Sequence, residues 1–151
     1  MFQEMAMIEL TIVTAASSDH FSCLCNLLYT IHRFEPGSNI IVYDLGLSPW
    51  QAELRQQPRV NFRRFQFELF PAWMAVGRGM EKGDRAGCYA WKPVIISDCL
   101  NETSGALLWL DAGNIITSHL KRLRRVIETD QVYSPTSSGT IRNWTHQGTL
   151  T

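Results

Sequence analysis

Short apolar runs alternate with helical patterns along most of this 151-residue chain. Five runs have the apolar, β-branched character of strands, at residues 7–14, 39–43, 60–67, 106–110 and 132–134. Helical apolar spacing or capping residues mark helices between or after them, at residues 20–33, 48–57, 89–100 and 118–127. Residues 71–87, with four glycines, predict a long loop. The alternation predicts an α/β fold, a Rossmann-like, mainly parallel sheet with helices on both faces.

The fourth run, A-L-L-W-L-D-A-G-N at residues 106–114, is the most informative stretch. A short apolar run bounded by turn formers predicts a buried strand, central in the sheet. Asp111 stands where this strand should stop, and open α/β sheets bind ligands at the carboxyl ends of their strands. Asp111 is therefore a candidate site residue. Capping of a turn explains it equally well, because Asp-Ala-Gly favours a turn.

Other polar or small residues follow the predicted strands in the same way. Thr14 and Ala15 come at the end of the first strand, and Asp44 follows the second. Right-handed crossovers would bring these ends and Asp111 to one edge of the sheet. Lys92, at the start of the third helix, adds a cation there. Two carboxylates and a cation suit a nucleotide diphosphate, although Asp44 could simply form a turn and Lys92 could simply be solvated.

The motifs of three common α/β site types are absent from the sequence. The segment after the first strand reads A-A-S-S-D and carries no glycine, whereas dinucleotide binding would require G-x-G-x-x-G. Neither the phosphate-binding G-x-x-x-x-G-K-[ST] loop nor the G-x-S-x-G hydrolase elbow occurs. These absences argue against a dinucleotide-binding protein, a P-loop protein and an α/β-hydrolase.

The amino-acid composition limits the kinds of partner that the chain is expected to bind. The 14 basic and 14 acidic side chains give a net charge of zero, so nothing drives the chain toward nucleic acid or acidic membranes. No stretch reaches the roughly 20 apolar residues that a membrane helix needs. The four cysteines have no zinc-like spacing and are predicted to be buried free thiols. Because residues 1–7 do not resemble a secretory signal, the chain is expected to be cytoplasmic, or lumenal if it is part of a longer protein of the secretory pathway. In a secretory compartment, Asn101 and Asn143 would be glycosylation acceptors.

Three motifs taken together carry a resemblance to a known superfamily. V-Y-D-L-G-L-S at residues 42–48, Y-A-W-K-P at 89–93 and L-W-L-D-A-G at 108–113 resemble those of GT-A-type glycosyltransferases, the nucleotide-diphospho-sugar transferases. The resemblance is nearest to the glycogenin-like and lipopolysaccharide-galactosyltransferase-like branch. It is closer still to a glycosyltransferase-like group with Y-A-W-K-P and L-W-L-D-A-G motifs, and it covers about residues 8–146.

The resemblance implies a donor site. Thr14 and Ala15 would line the nucleotide base, Asp44 would recognise the nucleoside, and Lys92 would face the nucleotide sugar. Asp111 matches the first Asp of the family's D-x-D metal motif, which implies bound Mn²⁺ or Mg²⁺. The second acidic position is Gly113, so a metal would need the diphosphate or another residue to complete its ligands. The implied donor is a nucleotide-diphosphate sugar, with a UDP-sugar as first choice, whose sugar passes to an acceptor.

Domains of this superfamily continue well beyond the length of this chain. Residues 1–151 are therefore expected to form a single, incomplete GT-A-like domain, the nucleotide-binding half. Two alternatives to a competent glycosyltransferase stay open on the sequence: a non-catalytic module that binds a nucleotide sugar, and a truncated, inactive fragment.

Overall fold

The computed structural model describes residues 8–51, 57–75 and 89–135. Three sequence predictions fall partly or wholly outside these ranges: residues 52–56 of the second helix, residues 76–87 of the glycine-bearing loop, and Asn143. The chain divides into two compact units, Met1–Leu120 and Lys121–Thr151.

Four parallel strands form the sheet of the first unit. The strands are β1 (Leu10–Ala16), β2 (Asn39–Asp44), β3 (Val60–Arg64) and β4 (Ala106–Trp109). Their order in the sheet is β3-β2-β1-β4, and all three pairings are parallel. The helices are α1 (Phe21–Phe34) and α2 (Trp91–Glu102) in this unit and α3 (Lys121–Asp130) in the second. Short 3₁₀ turns lie at Ser18–His20, Phe67–Leu69 and Ala72–Ala75. The predicted α/β fold with a parallel sheet is confirmed.

Two details of the predicted sheet are wrong. The strand at residues 106–110 is not central: within the described residues β4 pairs only with β1, and residues 107–109 are half-buried. The central strand is β1, which is buried along its entire length. An apolar run indicates that a strand is buried, but it does not indicate whether the strand lies at the centre or the edge of the sheet. Both β1 and β4 have such runs, although β4 is only partly buried. Residues 132–134 form no strand, and Val132 is 76% exposed.

Both faces of the sheet are covered, as the two-sided burial of β1 requires. Successive residues of a strand point to opposite faces, and Val13 and Ala15 pack in one cluster with Trp91 and Ile95 of α2. The side chains of α1 that recur at helical spacing are fully buried: Leu24, Leu27, Leu28 and Ile31. Cys23 of the same helix is exposed, so the prediction of buried thiols is wrong for it, whereas Cys99 is buried. Right-handed crossovers place α1 and α2 on opposite faces. Within the described ranges, no helix is long and apolar enough to cross a membrane.

Gly105, at the entry to β4, is required by the backbone. Its φ is +87°, and a Cβ there would lie 2.6 Å from the Glu9 carbonyl oxygen. That carbonyl accepts the hydrogen bond from the Ala106 N–H at 2.8 Å, which begins the pairing with β1. A side chain at residue 105 would therefore disturb the attachment of β4.

Gly105→Ala is expected to destabilise the protein by about 2 kcal/mol or more, from left-handed backbone strain of about 1–2 kcal/mol and the clash with Glu9. Gly37→Ala is the matched control, because a Cβ at Gly37 meets nothing within 4 Å. It should change stability by less than about 1 kcal/mol. Urea midpoints measure both variants, and equal midpoints would contradict the account.

Candidate functional site

The carboxyl ends of three strands lie at one edge of the sheet. Ala16 of β1 is in register with Asp44 of β2, and Val13 of β1 is in register with Trp109 of β4. Beyond the strands, Leu45 N–H donates to the Ala16 carbonyl, and Leu110 N–H donates to the Val13 carbonyl, each at 3.0 Å. The predicted shared edge is therefore confirmed. Because β2 and β4 flank β1, Asp44 and Asp111 are separated by about two strand spacings, roughly 10 Å.

At the β4 end of this edge, Lys92 and Asp111 form an ion pair. Lys92 is the second residue of α2, and its Nζ lies 2.7 Å from Asp111 Oδ1. The indole Nε1 of Trp109 donates to the same oxygen at 2.8 Å. The sequence predicts a role for each charged residue but not their pairing, since 19 residues separate them. The pair joins the start of α2 to the end of β4.

Three aromatic rings surround the Lys92 ammonium. Its Nζ lies 5.4 Å from the ring centroids of Tyr89 and Trp109 and 6.0 Å from that of Trp91. The two indole rings are 6.1 Å apart. At such distances the face of an aromatic ring attracts a cation. We call Lys92, Asp111, Tyr89, Trp91 and Trp109 the Lys92 cluster.

The Lys92 cluster is open to solvent on one side. The side chain of Asp111 is 62% exposed and that of Lys92 is 29% exposed. Trp91, in contrast, is buried, and its Nε1 has no hydrogen-bond partner among the described residues. The cluster thus combines a buried aromatic floor with a charge pair that a ligand can reach.

The surroundings of Asp111 lower its pKa below the ordinary value of 3.8. Partial burial acts in the opposite direction, but the hydrogen bonds from Lys92 and Trp109 and the charge of Lys92 outweigh it. Asp111 is therefore a carboxylate at neutral pH, and it keeps its negative charge beside the ammonium.

Asp44 forms a turn at the end of β2. Its Oδ1 accepts hydrogen bonds from the backbone N–H groups of Gly46 at 2.7 Å and Leu47 at 2.6 Å. Gly46 has a φ of +125°, a conformation that favours glycine. The turn-forming explanation of Asp44 is thus correct. Its role in recognising a nucleoside stays a prediction, and the half-buried carboxylate lies at the edge where that role requires it.

Thr14 and Ala15 are both buried at the end of β1. Ala15 belongs to the core cluster beneath α2. Thr14 is fully buried, and its hydroxyl has no hydrogen-bond partner within the described part of the chain. Their contact with a nucleotide base stays a prediction.

Sequence reasoning missed an aromatic pair near Asp44. Phe21, the first residue of α1, and Trp50 pack edge to face with ring centroids 5.1 Å apart, and Trp50 is 63% exposed. Gln51 fixes the adjacent loops, because its side chain donates to the Ser18 carbonyl at 3.2 Å and accepts from the Ser48 N–H at 2.8 Å. The pattern S-P-W-Q after the second strand was the signal available in the sequence.

The described residues do not fit a resident divalent ion by themselves. They contain no group of three or more His, Cys, Asp or Glu side chains that could hold a metal. Gly113 supplies no ligand, and Lys92 engages one oxygen of Asp111. Hard cations such as Mg²⁺ and Mn²⁺ require several oxygen ligands. Metal binding at Asp111 therefore stays a prediction.

Residues 3–97 match a family model described as "Protein of unknown function (DUF1647)", and the chain belongs to this family. The matched range includes Thr14, Ala15, Asp44 and Lys92 and stops before Asp111. Among curated proteins, none matches the chain.

Solved structures with a similar fold include GT-A glycosyltransferases. TarS from S. aureus, in a structure of residues 1–349, has a TM-score of 0.52, 12% identity and coverage of 82% of this chain and 33% of its own. The bifunctional glycosyltransferase WbbM has a TM-score of 0.52, 17% identity and coverage of 83% and 22%. A Q189E active-site mutant of LgtC has a TM-score of 0.49, 22% identity and coverage of 75% and 41%.

The matches to TarS and WbbM show a shared fold, the GT-A-type, Rossmann-like fold of glycosyltransferases. The chain spans 22% to 41% of the length of these three proteins. At such low identity the likeness concerns the fold alone.

Lys92→Met is expected to raise the pKa of Asp111, because it removes a hydrogen bond and the adjacent positive charge. Because the pKa of Asp111 is lower in the folded state than its ordinary value of 3.8, the ion pair stabilises the wild-type protein above pH 3.8. This contribution is lost as the pH falls through the folded-state pKa of Asp111. Its size should stay below about 1 kcal/mol, because the carboxylate is largely exposed. Carboxyl NMR titration measures the pKa, and Arg33→Gln, which removes a charge from the last turn of α1, should leave it unchanged. Unchanged titration in Lys92→Met would contradict the ion pair.

Proposed function

We propose that the protein binds a nucleotide-diphosphate sugar, a UDP-sugar first, along the carboxyl edge of its sheet and transfers the sugar to an acceptor. One observation carries this proposal: the register of β1 with β2 and β4 brings Asp44 and the Lys92 cluster to one edge of a glycosyltransferase-type fold. Ligands of open α/β sheets bind at such an edge.

The Asp44 end of the edge suits the nucleoside. The Asp44 carboxylate would accept hydrogen bonds from ribose hydroxyl groups or from the base. Thr14 carries a buried hydroxyl with no partner in the described residues, and it lies one position before Ala15, the other residue proposed to line the base. The exposed face of Trp50, beside this loop, offers a surface on which a base can stack.

The Lys92 end suits the diphosphate and the sugar. The Lys92 ammonium is the positive charge of the cluster, and the first turn of α2 adds backbone N–H groups that attract anions. In the transfer, the bond between the sugar carbon and the diphosphate oxygen breaks, and an acceptor hydroxyl oxygen takes its place and loses its proton. A fixed cation beside the departing diphosphate stabilises the charge that develops there.

A non-catalytic module that binds a nucleotide sugar is the second candidate. The observation that favours it is Gly113, which occupies the position of the second acidic residue in the D-x-D motif of GT-A-type glycosyltransferases. Binding of the donor without transfer or hydrolysis of the sugar would support this candidate over the first.

The binding itself is tested by thermal shift and calorimetry with UDP, UDP-sugars, GDP and UMP, with and without Mn²⁺. We expect stabilisation by about 2.7 kcal/mol when UDP or a UDP-sugar is present at about 100 times its Kd. GDP should bind more weakly because the base differs, and UMP because it lacks the second phosphate. Absence of binding by every nucleotide under both conditions would refute the proposal.

Asp44→Asn is expected to weaken UDP binding by roughly tenfold, the loss typical of one hydrogen bond to a charged group. The asparagine carbonyl can still accept the Gly46 and Leu47 hydrogen bonds, so the turn should persist. Asp98→Asn, which removes a carboxylate exposed on α2, is the control. Calorimetry compares the three proteins, and equal affinities would contradict a nucleoside role for Asp44.

A further inference from the structure

The Lys92 cluster already contains a cation where the D-x-D motif of GT-A-type glycosyltransferases implies a metal. Lys92 Nζ and Trp109 Nε1 both donate to Asp111 Oδ1, at 2.7 and 2.8 Å. A divalent ion binding this oxygen would have to displace the ammonium or stand beside it against charge repulsion. Gly113 supplies no second carboxylate that would favour the metal.

The position of Lys92 is costly for the helix that carries it. Lys92 lies in the first turn of α2, where the helix dipole favours anions and disfavours cations. Asp111 and the faces of Tyr89, Trp91 and Trp109 offset this cost by holding the ammonium in place. Four side chains thus hold one positive charge at the carboxyl edge of the sheet.

We infer that the protein binds the diphosphate of its donor without a divalent ion, through the Lys92 ammonium, an inference that rests on the function proposed above. An ammonium has three N–H donors. One donates to Asp111, which leaves two for phosphate oxygens. Lys92 is a diphosphate ligand, and Asp111 is a positioning residue.

The metal-bound and metal-free alternatives predict opposite effects for one substitution. If Asp111 holds a metal, removing its charge must abolish metal-dependent binding. If Asp111 only positions Lys92, its negative charge opposes the diphosphate, so removing that charge preserves or tightens binding. Asp111→Asn keeps an oxygen that can accept from Lys92 and Trp109 and is therefore a conservative probe.

The experiment is calorimetric titration of UDP into the full chain, in EDTA and in Mn²⁺, for wild type, Lys92→Met and Asp111→Asn. We expect wild-type affinities that agree within about twofold in the two buffers. Lys92→Met should bind at least roughly tenfold more weakly, as for the loss of a hydrogen bond to a charged group. Asp111→Asn should bind as tightly as wild type or tighter. Arg33→Gln and Asp98→Asn make the same charge changes outside the cluster and should leave the affinity unchanged.

The outcomes separate this inference from the proposed function. UDP binding that requires Mn²⁺ and is lost in Asp111→Asn would overturn the inference and leave the proposed function standing. Equal binding by Lys92→Met and wild type would also overturn the inference. No UDP binding in either buffer would refute the proposed function and the inference with it. Thermal melts of each variant confirm that a lost affinity is not a lost fold.

Discussion

The pairing of β1 with a neighbour on each side is the interaction on which the rest of the structure depends. This strand is buried along its whole length and contacts β2 and β4 in parallel register. A shift of one residue would turn its buried side chains to the opposite face, so burial fixes the register. The register in turn fixes where β2 and β4 end. The positions of Asp44 and Asp111 therefore follow from the packing of β1 and do not depend on contacts made by the two carboxylates.

The two ends of the candidate site are built in different ways. At the Asp44 end, a carboxylate closes a backbone turn, and Gln51 links Ser48, just after that turn, to Ser18 in the 3₁₀ turn before α1. Its residues contribute to the fold as well as to any ligand contact. At the Lys92 end, a lysine and a largely exposed carboxylate pair beside aromatic rings, and such an ion pair contributes little to stability. Substitutions there change the charge of the edge with little effect on the fold.

The sequence predicts the strands that carry the site better than their places in the sheet. Strand patterns located β1, β2 and β4, because alternation and apolar runs reflect burial. They placed β4 at the centre, since the run A-L-L-W-L is as apolar as a fully covered strand. Residues 132–134 have strand-forming side chains but form no strand within the described part of the chain, because pairing is a property of the whole fold. The turn at Asp44 was predictable from D-x-G, since it is local.

The Lys92–Asp111 pair could not be predicted, because it depends on the angle at which α2 returns to the sheet. The pair contributes little to the stability of the fold. A lysine in the first turn of α2 opposes the helix dipole, and an exposed ion pair stabilises a protein only weakly. A neutral side chain at position 92 would avoid the unfavourable interaction of a cation with the first turn of α2. A costly charge, held by one carboxylate and three aromatic rings at a ligand-binding edge, is better explained by an anion that it meets there.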